Sequence, residues 1–191
     1  GGVAGGNITL GNFTLTVTQN TALSYDGIIG GTGGFTKAGA QTLTLNGANT
    51  YTGTTTISAG NLITGASNRI ADLSNVVMAN TAGATLTLGG DETIGSLSGG
   101  GTTGGNINLG TFTLTVTQAA ALTYGGVMSG TGGLIKTGGS TLTLGGANTY
   151  TGTTSINAGG LSTNAANRIA DLSDVSLANV AGVTLSLGGS E

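Results

Sequence analysis

The 191-residue chain has no cysteine, histidine, proline or tryptophan. Without Cys and His it lacks the donors of the usual zinc, haem, iron–sulfur and blue-copper sites. The same absences remove a Ser-His-Asp triad, a cysteine nucleophile and a structural disulfide. Charge is also scarce: four Lys+Arg and seven Asp+Glu give a net charge of −3. Four cations cannot build the phosphate-neutralising surface that nucleic-acid binding needs. No apolar run approaches the ~18 residues of a membrane-spanning helix, so no membrane insertion is expected of this segment. No basic start followed by an apolar stretch marks a signal peptide.

What is abundant is Gly, at 40 positions, set among Thr, Ser and aliphatic residues. Hydrophobic residues are 37% of the chain, too many for the low-hydrophobicity, high-charge signature of disorder. The chain starts at Gly1 and stops at Glu191 in mid-pattern, and reads as a piece of something longer.

An internal duplication organises all of it. Asn7 and Asn106 open the stretches NITLGNFTLTVTQ and NINLGTFTLTVTQ, an offset of 106 − 7 = 99. The same offset links Tyr25 to Tyr124, Lys37 to Lys136, Tyr51 to Tyr150, Arg69 to Arg168 and Asp72 to Asp171. Between Gly1/Gly100 and Glu92/Glu191, 62 of 92 gapless pairs are identical. Residues 1–99 form a first unit and 100–191 an incomplete second one, in one continuous solenoid. Finer spacing divides each unit. Leu15, Thr36, Ile57, Val76 and Leu97 lie about 20 residues apart, so five coils fill a unit, as in solenoids whose turns bury their faces only against neighbours.

The runs FTLTVTQ, QTLTLNG and TTTISAG alternate apolar residues with Thr or Ser, the period-two pattern of strands with one buried face. Gly is too frequent for helices, at about 1 kcal/mol each relative to Ala. Only NRIADLS, at Asn68 to Ser74 and Asn167 to Ser173, admits a helical turn, and a loop suits it equally. Gly-Gly and Asn-Gly pairs supply turns with positive φ. The expected fold is all-β: a parallel β-helix of about nine coils, a rod roughly 40 Å long. Positions 99 apart, such as Leu15 and Leu114, are expected to point inward at the same place on the cross-section, five coils apart.

The segments GTGGFTKAGAQTLTLNGANTYTGTTTISAGNL (Gly31 to Leu62) and GTGGLIKTGGSTLTLGGANTYTGTTSINAGGL (Gly130 to Leu161) resemble the passenger-associated transport repeat of bacterial autotransporters. Phe35 stands in place of the pattern's Leu, and Ala40-Gln41 and Gly139-Ser140 depart from its Gly-x-Gly. ETIGSLSGGG, at Glu92 to Gly101, resembles the sequence between such repeats. The resemblance implies a right-handed β-helix in a surface-exposed or secreted passenger, exported by a C-terminal barrel that this chain does not contain.

Individual motifs read mostly as structure. GGTGG before Lys37 lacks the Gly-Lys-Ser/Thr of a phosphate loop, and Lys37 and Lys136 are placed on the solvated side of a turn. Arg69 with Asp72, and Arg168 with Asp171, are spaced to pair on one turn. Seven scattered acids do not make a lyase site; Asp171 with Asp174 is the densest pair. GGDE at Gly89 to Glu92 becomes GGSE in the second unit, so a calcium ladder is not expected. Thr-x-Thr pairs at Thr16/Thr18, Thr42/Thr44, Thr54/Thr56 and Thr85/Thr87 resemble ice-binding faces, but their spacing is irregular. Tyr51 and Tyr150 are read as packing residues rather than sugar platforms. Asn49, Asn68 and Asn80, with Asn148, Asn167 and Asn179, are read as turn residues or ladders satisfying backbone groups.

The sequence therefore points to a non-catalytic stalk, spacer or adhesive fibre at the bacterial surface or outside the cell. No catalytic residue, metal or cofactor is expected, and no ligand site is assigned. Its expected partners are further copies of the same repeat, stacked end to end, and a host or neighbouring-cell surface or polysaccharide. The alternative is a carbohydrate- or ice-binding module using the side faces. Neither GGVAGG nor LGGSE has the bulk to cap an apolar interior, so the ends are expected to accept further repeats.

Overall fold

The computed structural model describes residues 6–170 and 172–190. Among them there is no helix; 22 strands of two to four residues pair only in parallel, coil on coil. The chain winds as a three-faced prism. The long face stacks nine strands: Leu15–Thr18, Phe35–Ala38, Thr55–Ile57, Val76–Met78, Leu97–Gly99, Leu122–Tyr124, Thr141–Leu144, Gly160–Thr163 and Thr184–Ser186. The second face has six, beginning at Leu23–Tyr25 and ending at Met128–Ser129. The third has five, from Glu92–Ile94 to Val175–Leu177, preceded by the pair Ile8–Thr9 and Ile29–Gly30. Nine strands about 4.8 Å apart make a rod roughly 40 Å long.

Alternation puts the core inside the prism. Leu43 and Leu45 are buried and Thr44 between them is not; Leu86 and Leu88 flank Thr87 in the same way. Register then aligns like with like: Leu43, Leu62 and Leu86 form one inward column, with the exposed Leu23 at its open end, and Ile107 and Met128 continue it. Each coil buries its apolar side chains against the coils above and below, so stability accumulates along the rod rather than around one centre.

Coil length is not constant. Leu15 pairs with Phe35, 20 residues on, whereas Gly99 pairs with Tyr124, 25 residues on. The long coil turns at Gly99 and Gly100, whose φ values of 80° and 67° are left-handed, a conformation that glycine adopts without a Cβ clash. GGTGG is a turn: Thr32 and Gly33 both donate their N–H to the carbonyl of Gly11 in the preceding coil. NRIADLS at Asn68 to Ser74 is a loop, entered through Asn68 at φ 53°, and Asn167 has the matching φ of 55° in the second unit.

Two sequence expectations need correction. On the long face the inward column runs Leu15, Phe35, Thr55, Val76, Leu97, so Thr36 and Ile57 are displaced from it by one and two positions. The Thr repeats hid this, because Thr occupies inward and outward sites alike: Thr55, Thr64, Thr154 and Thr163 are buried. Second, positions 99 apart do not share a face. Leu15 lies on the long face and Leu114 on the third, although both pack inward. From Leu15 the chain makes four full turns to Leu97, then crosses the second face at Asn106–Asn108 and reaches the third at Leu114–Thr117. A unit is thus four and two-thirds turns, not five.

Candidate functional site

The polar side chains inside the prism are the most specialised part of the molecule. The third face loses its strands between Ile29–Gly30 and Glu92–Ile94. Two side chains bridge the gap. Asn49 Oδ1 accepts the N–H of Ile29 at 2.8 Å, and its Nδ2 donates to the carbonyl of Arg69 at 2.6 Å. Glu92 then receives the N–H groups of Arg69 at 3.0 Å and Ile70 at 2.8 Å, one on each carboxylate oxygen. An amide and a carboxylate thus supplement the backbone bonds from Thr50 to Ile29 and from Asn68 to Asp91 where the backbone is not strand. In the second unit Asn148 takes the N–H of Met128 at 2.8 Å and donates to the carbonyl of Arg168. Burial pushes the Glu92 carboxyl up to about 8, an effect the two N–H bonds only partly offset.

Lys37 is on the inward side of its strand, in register with Val17 and Ile57, and is fully buried. Its Nζ donates to the carbonyls of Ala38 at 3.0 Å, Gly39 at 2.8 Å and Ala59 at 3.0 Å. Three donors meet three acceptors at one corner of the prism. Lys136 repeats the cap with Thr137, Gly138 and Ala158. Desolvation lowers the pKa of both ammonium groups. The expectation of a solvated lysine was wrong, and the signal against it was parity: Lys37 stands two residues after Phe35, on the same face of the strand.

Tyr51 is buried beside Phe35, with ring centroids 6.1 Å apart. Its hydroxyl meets Thr55 Oγ1 at 2.6 Å, Thr55 meets Ser74 Oγ at 2.7 Å, and Ser74 donates to the carbonyl of Gly53 at 2.8 Å. Tyr150, Thr154, Ser173 and Gly152 reproduce the chain. These tyrosines are packing residues whose polar tips are satisfied. Burial raises the Tyr51 pKa.

The remaining candidates divide. Asn68 accepts the N–H of Thr93, and Asn80 those of Thr103 and Gly104, so both tie a loop to the following coil. Asp91 caps the N–H of Thr113 at 2.8 Å. Asp72 is exposed, while Arg69 engages its neighbours through its backbone. Asp171 lies outside the described residues. Among the described residues no three His, Cys, Asp or Glu side chains gather where they could hold a metal ion.

Outside, register assembles one hydroxyl row on the long face: Thr16, Thr36, Thr56, then Val77 and Ser98. Thr123, Thr143, Ser162 and Ser186 form its continuation. The row is a single file, since Ala38 stands beside Thr18, and Val77 interrupts it.

The family model described as passenger-associated-transport-repeat matches residues 35–63 and 134–162. Each match spans the lysine cap, the bridging Asn, the buried Tyr and the inward Thr, all of which tie coil to coil. The chain is 40% identical over 184 residues to the adhesin BmaC autotransporter of Brucella suis biovar 1 (strain 1330). That alignment takes in 94% of this chain but 5% of the relative's length. No solved structure matches. The chain thus carries two copies of the passenger-associated transport repeat, at equivalent places in its two units.

Proposed function

We propose that the chain is a non-catalytic rod segment of an adhesin-like passenger at the bacterial surface, a stalk or spacer that sets how far an adhesive region stands from the envelope. The observation that carries this reading is where the buried polar groups are used. Lys37, Asn49, Tyr51, Glu92 and Gln118 all spend their hydrogen bonds on backbone or side chains of their own and neighbouring coils. Such a section gains length with each added unit, about 22 Å for four and two-thirds turns. The likeness to an adhesin supports a surface location and an adhesive context.

The test is to delete or insert whole 99-residue units in the full-length parent protein. Reach, measured by electron microscopy, should change by about 22 Å per unit, and adhesion should vary in a graded way. Complete loss of adhesion on deleting one unit, at unchanged surface display, would overturn the spacer reading.

One observation favours a second reading. The outward hydroxyl row along the long face offers regularly spaced donors and acceptors to an extended polysaccharide. Being a single file, it suits the two-dimensional lattice of ice poorly. Thr36→Lys with Thr143→Lys should abolish glycan retention if that face binds carbohydrate and leave the rod's adhesion intact if it does not.

A further inference from the structure

Gln19 is 7% exposed, and neither its Oε1 nor its Nε2 has a hydrogen-bond partner among the described residues. Its counterpart 99 residues on, Gln118, is fully buried and satisfied. Gln118 Oε1 accepts the N–H of Leu97 at 3.2 Å, and its Nε2 donates to the carbonyl of Ala120 at 2.8 Å. Leu97 belongs to the coil before Gln118. Gln19 Oε1 therefore lacks the N–H that the preceding coil supplies to Gln118 through Leu97.

A second observation lies at the same end. A cavity of about 170 Å³ is lined by Leu15, Val17, Leu23, Phe35 and Leu43. The counterparts of Leu15 and Val17, Leu114 and Val116, are fully buried under the strand Glu92–Ile94, with Glu92 over Leu114 and Ile94 over Val116. The far end shows the complementary defect. Val175 and Leu177 are 39% and 47% exposed, whereas their counterparts Val76 and Met78 are 0% and 1% exposed beneath Leu97–Gly99. One segment, Glu92–Gly99, covers both kinds of surface at the internal junction.

We infer that the N-terminal end of the solenoid is a socket for the Glu92–Gly99 segment of a preceding copy of the unit, and that copies joined this way turn by one third of the prism each. The occupant is set by complementarity: it must bring an N–H to Gln19 and a strand over Leu15 and Val17, and the unit's own segment does both in its second copy. The rotation follows from four and two-thirds turns per unit. Three units make fourteen turns, so a face recurs every 297 residues, about 67 Å along the rod. Leu73 and Leu172, 73% and 77% exposed, illustrate the consequence. Leu73 lies between strands of the second and long faces, Leu172 between strands of the long and third faces. A long array thus presents each surface feature on all three sides in turn, and contacts made through it do not depend on how the rod is rotated. This deepens the rod reading but is measured without reference to adhesion.

The test places one further copy of residues 1–99 ahead of Gly1, so that Gly99 precedes Gly1 as it precedes Gly100. Hydrogen exchange of the amides of Leu15–Thr18 should slow at least about tenfold, to the level of Leu114–Thr117. A control copy lacking residues 93–99 should leave them fast. In a six-copy chain, averaged electron-microscope images should show a rise of about 22 Å and a third-turn rotation per unit, recurring at about 67 Å. Unchanged exchange at Leu15–Thr18 in the folded longer chain, or units repeating on one face without rotation, would overturn the inference. Loss of adhesion on unit deletion would end the spacer reading and leave these two measurements standing.

Discussion

The ammonium of Lys37 donates to the carbonyl oxygen of Ala59, 3.0 Å away and one coil further along. With Ala38 and Gly39 it completes a three-carbonyl cap inside the prism, so replacing it strands buried acceptors. Lys37→Met should cost about 1–3 kcal/mol in urea unfolding, and Lys136→Met a similar amount. A solvated lysine would change stability by less than about 0.5 kcal/mol, and that result would refute the cap.

The Tyr51–Thr55–Ser74 chain should behave as a unit. Tyr51→Phe and Thr55→Val each leave a hydroxyl partner unsatisfied, whereas the double variant removes both ends of the bond. A double-mutant cycle should give a coupling of about 0.5–3 kcal/mol. Strict additivity would mean the bond contributes nothing.

Glu92 makes stability depend on pH. Its carboxyl titrates at about 8 when folded, against 4.5 in the unperturbed group. Between those values the folded chain holds a proton that the unfolded chain has released. The contribution is full below about 4.5 and is lost as pH rises through 8, so stability falls with rising pH across the window. Melting temperatures from pH 4.5 to 9 should fall accordingly, and Glu92→Gln should flatten the slope. A rise over the same range would show that the N–H groups of Arg69 and Ile70 stabilise the ionised form more than burial disfavours it.

Close coil contact makes some glycines irreplaceable. A Cβ on Gly33 would stand 1.8 Å from the Phe13 carbonyl oxygen, and one on Gly132 at 1.8 Å from that of Phe112. Ala at either position must push coils apart, with losses of several kcal/mol or failure to fold. Gly139 has nothing within 4 Å of such a Cβ, and Gly139→Ala should be neutral or slightly stabilising. Equal effects at Gly33 and Gly139 would contradict the tight stacking at the corner.

Chelation should leave the melting temperature where it is, since no described acids converge on a site for a cation. A shift of several degrees with EDTA, reversed by calcium, would reveal a metal the acids were not expected to hold.

The amino-acid sequence determined the kind of object this is. Thr–aliphatic alternation dictates strands with one buried face, the 20-residue spacing dictates coils, and the 62 identities at an offset of 99 dictate tandem units. It even carried the parity that puts Lys37 beside Phe35, although hydrophilicity argued the other way. Only the tertiary structure decided which Thr column faces inward, because Thr is small enough to fill an interior site and polar enough for an exterior one; Thr55 and Thr56 differ only in the column they join. It also decided the rotation between units. Coils of 19 to 25 residues look alike in a sequence of loops and short strands, and their sum misses five whole turns by a third. That remainder depends on which corners take the extra residues, and hydrogen-bond register across coils sets it, not any local preference of the chain.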